Sequence, residues 1–392
     1  MKVATSQLLH AFRPGIFSEL SKRKQEKQAS GADIIDLSVG SPDLPPPPSV
    51  MEALQRNIRD PGQYGYTLMG IDAFNRAVAA YYDQRYGVSL DPHTEVLQVM
   101  GSQDGLVHLP MVLANAEDII LVPDPGYTAY ETGVYLSGAA QFSMPLRKEN
   151  GFLPDLSDIP TQVAQKAKLM ILNFPGNPVP ALADRHFFEE VVQFAKQYQI
   201  LVVHDFAYSE LVFDGRQAIS FLSVEGAKEV GVEFNSLSKS FNMAGCRIGY
   251  MVGHAEVIEA FGRLKSNLDY GVFLPIQKAA VVALEEAHDF LKKNRQVYAQ
   301  RRDVLIESLA SLGWHIDPPQ ATMFAWAAVP RGRTSQQFAY ELLEKAGVVV
   351  TPGNAFGSHG EGYVRIALVQ PEEKIKLAAQ RIQENMGNIF SS

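Results

Sequence analysis

One feature constrains the fold of this chain more than any other: between about residues 72 and 345, short apolar runs rich in β-branched residues alternate with stretches of helical periodicity. The runs are VLQVM (96–100), DIILVP (118–123), AQFSMPL (140–146), KLMILNF (168–174), ILVVHDF (200–206), VEFNSLS (232–238) and IGYMVG (248–253). Most are apolar throughout rather than at alternate residues, so both faces of each strand must be covered. This predicts an α/β fold whose large domain is a mostly parallel, seven-stranded sheet covered by helices. A long helical pattern follows over roughly 277–311. Then WHIDP, MFAWAAV, VVVTPG and YVRIALV read as short strands with helices between and after them, which predicts a smaller α+β domain.

The first 30 residues read as an arm and a polar helix, with Ser18 to Gln28 rich in Lys, Glu and Gln. IIDLSVG (34–40) reads as a short strand. The prolines of SPDLPPPP then hold the backbone extended, and Ser49 is the expected N-cap of a helix to about Asn57. The expected division is an arm with part of the small domain in 1–45, a large domain in 46–285 and a C-terminal small domain in 286–392.

The net charge of −8 argues against nucleic acid or an anionic membrane as partner, because either favours a basic patch. One cysteine, Cys246, excludes an intrachain disulfide and fits a reducing cytoplasm. The N-terminal MKVATSQLLHAFRPGIF lacks the apolar core and cleavage site of a signal peptide. No run approaches the ~18–20 apolar residues of a membrane span. A cytoplasmic protein is expected.

Ligands of open α/β sheets bind beyond the carboxyl ends of the strands, and the chemically distinctive residues fall there. Gly101-Ser102-Gln103 follows VLQVM and opens a helical stretch whose N–H groups can meet a phosphate. Tyr127 follows DIILVP, Asn173 and Asn177 follow KLMILNF, Asp205 and Tyr208 end ILVVHDFAY, and Ser236 and Lys239 end VEFNSLS. A lysine emerging from a buried strand is costly unless it is neutral or paired. A neutral amine can form a Schiff base with a carbonyl. Serines 236, 238 and 240 with Arg247 supply phosphate donors, and Asp205 supplies a carboxylate.

Together these residues point to pyridoxal phosphate. Asp205 would keep the ring nitrogen protonated, and Asn177 and Tyr208 would donate to the ring oxygen. Ser102, Ser236 and Arg247 would hold the phosphate, while Tyr127 would stack on the ring. Lys239 would hold the cofactor and shuttle a proton. Arg365, inside the otherwise apolar YVRIALV, is the candidate fork for a substrate α-carboxylate, placed to close the small domain onto it.

Singly, each residue has a plainer reading: Asp205 as a helix cap, Lys239 as solvated, Arg365 as an ion pair, Tyr127 as packing. Their coincidence at successive strand ends carries the assignment. Cys246 reads as a small buried residue, and His204 as a core or supporting residue rather than a ligand. No metal-ligand spacing occurs.

The run SLSKSFNMAGCRIGY (236–250), with serine three before the lysine and arginine eight after, resembles the lysine signature of class I/II aminotransferases. These are fold-type I pyridoxal-phosphate enzymes, and the resemblance extends from LSVGSPDLPPPP to GYVRIALV. It implies Lys239 as Schiff-base lysine, Asp205 as pyridine partner, Asn177 and Tyr208 at the ring oxygen and Tyr127 stacking. It also implies Ser102, Gln103, Ser236 and Arg247 at the phosphate, with Arg365, Asn177 and the Gly40 backbone at the substrate carboxylate.

Two departures stand out. The family's Asn-Pro-Thr-Gly reads Asn177-Pro178-Val179-Pro180, and Pro180 fixes φ and removes an N–H, so the turn must differ. The family tyrosine that reaches the partner subunit's phosphate falls at Tyr66 or Tyr64 in GQYGYTLMG, with Tyr66 preferred. That feature implies a homodimer with the site at the interface.

HDFAYSEL, KSNLDYGVFLPIQKA and VVVTPGNAFGSHGEGYVRIALVQ resemble the diaminopimelate branch, in particular N-acetyl-diaminopimelate aminotransferases of lysine biosynthesis. The resemblance implies an amino acid and a 2-oxo acid as substrates, with glutamate and 2-oxoglutarate as the exchanging pair. Aspartate, alanine, methionine or an aromatic amino acid fits the same motifs. A carbon–sulfur β-lyase would use the same residues. An effector-binding regulator is disfavoured by the acidic charge and by the fold starting within the first few dozen residues. A dicarboxylate-like substrate wants a second cation; Arg13, Lys22 and Arg23 lie in the arm, but no pattern singles one out.

Overall fold

The computed structural model describes residues 1, 3–12, 15–387 and 389–390. Strand β1 (Ile35–Asp36) lies apart from the larger sheet. That sheet contains β2 (Val96–Val99), β3 (Ile119–Asp124), β4 (Ala140–Pro145), β5 (Ala167–Leu172), β6 (Leu201–Asp205), β7 (Gly231–Ser236) and β8 (Gly249–Gly253). Its seven strands run in the order β2-β8-β7-β6-β5-β3-β4. Pairings from β4 through β7 are parallel, whereas β8 is antiparallel to both β7 and β2. A parallel return needs a crossover. After β7 the chain makes only the short helix Leu237–Ser240 and a turn at Ala244–Cys246, so it comes back antiparallel.

The unbroken apolar character of these strands has a direct cause. Successive side chains point to opposite faces, so β5 sends Leu169 and Ile171 into one core and Met170 and Leu172 into another. In β6, Val203 and Val202 divide in the same way. Each such buried side chain contributes about 1.5–3 kcal/mol.

The remaining strands are β9 (Phe324–Ala328), β10 (Val348–Val349), β11 (Thr351–Pro352) and β12 (Tyr363–Ala367). An antiparallel sheet runs β11-β12-β9, and β10 pairs in parallel with β1. The core beneath includes Phe324, Phe338, Ile366 and Ile375, joined by Ala207, Tyr208, Leu211 and Phe213 from the segment after β6.

Several local expectations are corrected. The helix expected behind an N-cap at Ser49 spans Pro48–Ile58 and starts at Pro48, with Pro47 as N-cap. Proline is tolerated there because the first helical N–H has no intrahelical partner. The pattern at 277–311 is two helices, Leu274–Glu286 and His288–Ala310, broken at Ala287. The first packs Ala279, Ala283 and Leu284 against the large-sheet core, the second Tyr298, Leu305 and Leu309 against the other, so one amphipathic pattern serves two cores. WHIDP forms no strand; Trp314 is buried, its indole N–H donating to the Ala328 carbonyl at 2.8 Å. Only Ile35–Asp36 of IIDLSVG is strand. The backbone just beyond it is left to accept from side chains of the cleft.

Among the described residues no helix is long and apolar enough to cross a membrane, and no cluster of metal-ligating side chains occurs.

Candidate active site

The carboxyl ends of β3, β5, β6 and β7 face β12 across a cavity of about 330 Å³. Gly40, Ser102, Gln103, Tyr127, Asn177, Asp205, Tyr208, Ser236, Lys239, Arg247 and Arg365 line it, whereas Asn173, Tyr64 and Tyr66 do not.

Lys239 sits in the short helix after β7, which Ser236 caps by accepting from the Ser238 N–H at 3.2 Å. Its Nζ donates to the Gly40 carbonyl at 2.6 Å. Burial, reinforced by the Arg365 and Arg247 charges, lowers its pKa from 10.5 to about 8. Gly40 has no room for a side chain, since a Cβ would stand 2.9 Å from Phe324 Cζ. The backbone can therefore approach the lysine only because the residue is glycine.

Asp205 ends β6 and is buried. Its Oδ2 accepts from the Tyr130 hydroxyl at 2.8 Å and its Oδ1 from the Ala207 N–H at 3.3 Å. Burial pushes this carboxyl up, against the pull of Tyr130, Ala207, His204 and Lys239. A cation beside it would restore the charged form. Asn173 braces the neighbouring loop: its Nδ2 donates to the Asp205 carbonyl at 2.7 Å, and its Oδ1 accepts from the Asn177 N–H at 2.8 Å. Tyr208 packs edge-on to Phe324, and burial raises its hydroxyl pKa.

At the other end of the cavity, Ser102 and Gln103 open the helix Ser102–Leu113 after Gly101, whose φ is 80°. A Cβ at Gly101 would stand 2.7 Å from Arg247 Nη2, so glycine here also clears space for the arginine. Arg247 Nη1 donates to the Ala244 carbonyl at 3.1 Å. A helix N-terminus beside a guanidinium offers a phosphate both charge and donors. Tyr127, half-buried, donates its hydroxyl to Gln103 Oε1 at 3.1 Å and presents its ring to the cavity.

Arg365 closes the cleft from β12. It is 5% exposed, and burial lowers its pKa to about 10. Nη1 donates to Asn177 Oδ1 and Nη2 to the Ser38 carbonyl, each at 2.7 Å, while Nε finds no partner. The guanidinium lies 4.2 Å from the Phe324 ring and 4.7 Å from that of Phe356. Among the described residues no carboxylate pairs with it.

Some expected residues lie elsewhere. Tyr64 donates to the Ile58 carbonyl at 2.9 Å and packs on Phe273, while Tyr66 packs on Tyr270. The two are 61% and 84% exposed. Lys22 pairs with Glu26, and Arg23 with Glu19 over the Tyr340 ring. Arg13 lies outside the described residues. Sequence reasoning missed Tyr130, Phe324 and Phe356. Tyr130 lies three residues after Tyr127, in the first turn of the helix Ala129–Ser137, and was open to discovery; the two phenylalanines meet Arg365 only through the tertiary fold.

The donor set fits pyridoxal phosphate: a buried carboxylate for the ring nitrogen, a lysine of lowered pKa, an aromatic face, and an arginine beside a helix N-terminus for the phosphate. The family model for class I and II aminotransferases matches residues 32–382. The chain belongs to this family.

The aminotransferase is 48% identical over 377 residues to the LL-diaminopimelate aminotransferase of Moorella thermoacetica, covering 96% of this chain and 97% of the relative. Its structure matches substrate-bound BacF of Bacillus subtilis with a TM-score of 0.94 and 40% identity, over 98% of each chain. It also matches a probable N-succinyldiaminopimelate aminotransferase of Thermus thermophilus, with a TM-score of 0.89 and 38% identity over 94% of this chain and 100% of that one. The aminotransferase uses pyridoxal 5′-phosphate, and an amino acid and a 2-oxo acid are the substrates consistent with its family.

Proposed function

We propose that this aminotransferase takes the amino group of LL-diaminopimelate and passes it to 2-oxoglutarate, or runs the exchange in reverse, within lysine biosynthesis. The observation that carries an amino-acid substrate is Arg365, a buried guanidinium aimed into the cleft without a carboxylate partner among the described residues. The relative at 48% identity supports the diaminopimelate side chain. Free LL-diaminopimelate is preferred to the N-acetylated form that the sequence resemblance implied. The N-succinyl activity named for the Thermus neighbour keeps an N-acylated substrate as the second reading.

When bound, pyridoxal phosphate supplies an electron sink for the carbanion left as the substrate Cα loses its proton. The chain's own residues do the rest. Arg365 holds the α-carboxylate in a fork, exchanging its contacts with Asn177 and Ser38 for the substrate. The Lys239 amine takes the proton from Cα. Asp205 would meet the ring nitrogen, Asn177 and Tyr208 would donate to the ring oxygen, and Tyr127 would cover the ring face. Ser102, Gln103, Ser236 and Arg247 would hold the phosphate.

The same proposal includes a homodimer. Tyr64, Tyr66, Leu68, Met69, Tyr270 and Phe273 are all exposed and lie in two neighbouring segments, an apolar surface suited to a second copy. From it the partner subunit's Tyr66 would reach the phosphate. Two further expectations belong here: domain boundaries near residues 45 and 285, supported by the separate cores, and a cytoplasmic location.

Spectral titration of the yellow holoenzyme with amino donors tests the reading. LL-diaminopimelate should bleach the band at the lowest concentration, ahead of N-acetyl-diaminopimelate, glutamate, alanine, aspartate, methionine and phenylalanine, and 2-oxoglutarate should restore it. A lower requirement for the N-acetyl form would replace the substrate. Pyruvate released from cystathionine without a keto-acid acceptor would replace the reaction by β-elimination.

A further inference from the structure

Behind the cofactor cradle lies a charged pair that none of these roles uses. His204 in β6 and Glu233 in β7 face each other across the sheet register, and each is 0% exposed. Side chains alternate along a strand, so His204 points away from the face that Asp205 presents, and it does not line the cavity.

The hydrogen-bond partners around the pair favour one arrangement of protons. His204 Nε2 lies 3.1 Å from the Phe174 carbonyl, which can only accept, so Nε2 carries a hydrogen. Glu233 Oε1 accepts from the Tyr82 hydroxyl at 2.7 Å and the Ser220 hydroxyl at 3.0 Å, and Oε2 accepts from the Phe221 N–H at 2.9 Å. A carboxyl that collects this many donors is the ionised acceptor. The His204 Nδ1, 2.9 Å from Oε2, then donates as well. The number of donors converging on Glu233 favours an imidazolium paired with a carboxylate over a neutral pair. Each charge compensates the other in a site where either alone would be expensive.

The imidazolium is attached to two parts of the site at once. Asp205 is the next residue, a buried carboxyl whose charged form the His204 charge favours. Phe174, whose carbonyl His204 holds, follows Asn173, the residue that bonds both the Asp205 carbonyl and the Asn177 N–H.

We propose that the His204–Glu233 pair is a positioning device for transamination: it sets a permanent positive charge behind Asp205, so that this carboxylate stays ionised toward the ring nitrogen, and it pins the loop that carries Asn177. The inference rests on the assignment of Asp205 to the ring nitrogen.

The test reads the ring nitrogen directly. Holoenzyme is loaded with pyridoxal phosphate carrying 15N in the ring, and its 15N shift is followed by NMR in the parent, Asp205→Asn, His204→Gln, Glu233→Gln and Tyr82→Phe proteins. In the parent the ring nitrogen is protonated, and in Asp205→Asn it loses the proton. In His204→Gln and Glu233→Gln the protonation equilibrium shifts about tenfold toward the neutral ring, the equivalent of about one pKa unit. The kcat falls with it, more than KM for the amino donor rises. Tyr82→Phe, which removes one neutral donor and leaves both charges, keeps the parent shift.

A parent-like ring shift in both His204→Gln and Glu233→Gln, with Asp205→Asn altered, overturns the inference alone. An unaltered shift in Asp205→Asn overturns the assignment beneath it. Should the glutamine variants not fold, the side-chain 1H–15N spectrum of His204 in the unmodified holoenzyme decides: two N–H protons support the pair, and a single one overturns it.

Discussion

Two arginines, equally buried at 5% exposure, have been given opposite surroundings. Arg301 meets Asp43 through both Nη atoms at 2.7 Å each and adds the Leu368 carbonyl at 3.0 Å. Arg365 meets an amide oxygen, a backbone carbonyl and two phenylalanine rings, with a hydroxyl at 3.5 Å. The first guanidinium is completed by the protein and fastens the proline-rich segment to the long helix. The second is solvated by dipoles and lacks a counter-charge among the described residues. A buried charge in that state costs stability. In the proposed function a substrate anion would complete the electrostatics there, a local sacrifice of stability for function.

The harshest way to break this contrast is Lys239→Ala, which removes the other poorly compensated cation of the cleft. Multiple-turnover transamination should fall by about 10⁴-fold or more, while the melting temperature of the apoprotein stays level or rises. Turnover that survived would end the assignment.

Arg365→Leu and Arg301→Met sharpen it. The first should lower kcat/KM by about 10²-fold or more, because the substrate loses its orienting fork, with no loss in denaturant midpoint. The second removes the paired guanidinium while the solvent-accessible Asp43 carboxylate turns to water, and should cost about 1–3 kcal/mol, with kcat per folded molecule nearly unchanged. If Arg365→Leu destabilised the fold and Arg301→Met spared it, the two arginines would have been read the wrong way round.

A smaller effect lies in pH. Burial and the neighbouring arginines disfavour the Lys239 ammonium, so its pKa falls to about 8 from 10.5. Capture of pyridoxal phosphate by the apoenzyme needs the neutral amine and should rise with pH through a midpoint of about 8. Between about 8 and 10.5 the unfolded chain holds a proton on this lysine that the folded chain lacks. Its contribution to apoprotein stability therefore increases with pH across that window. Arg365→Leu should move the capture midpoint upward, since one cause of the depression is gone. An unmoved midpoint would separate the two cations electrically.

The smallest expected effect belongs to the exposed tyrosines. Tyr66→Phe should weaken cofactor retention by about tenfold, the value of one charge-assisted hydrogen bond; Tyr64→Phe should leave it unchanged. Equilibrium dialysis of the two variants distinguishes them.

Much of this site could be read without coordinates. Asp205, Asn177 and Lys239 stand at the ends of apolar runs, and chain direction in a parallel sheet brings such ends to one edge. Arg365 was visible as the lone charge in an apolar strand. Tyr130 was missed because one tyrosine in a helical turn looks like another until Asp205 is seen to accept from its hydroxyl. The break at Ala287 was hidden by a hydrophobic pattern that stays helical while it changes core.

By itself the sequence determined the strands of the larger sheet, its mostly parallel character and the side chains that stand at its strand ends, because periodicity and strand-end position are local properties. Only the tertiary structure decided which charges are completed. Arg301 stands among polar residues of a helix and Arg365 in an apolar strand, yet both end up buried, and His204 and Glu233 lie on separate strands with no motif to link them. Whether a buried charge finds its counter-ion depends on which distant segment packs against it, and a linear pattern carries no record of that.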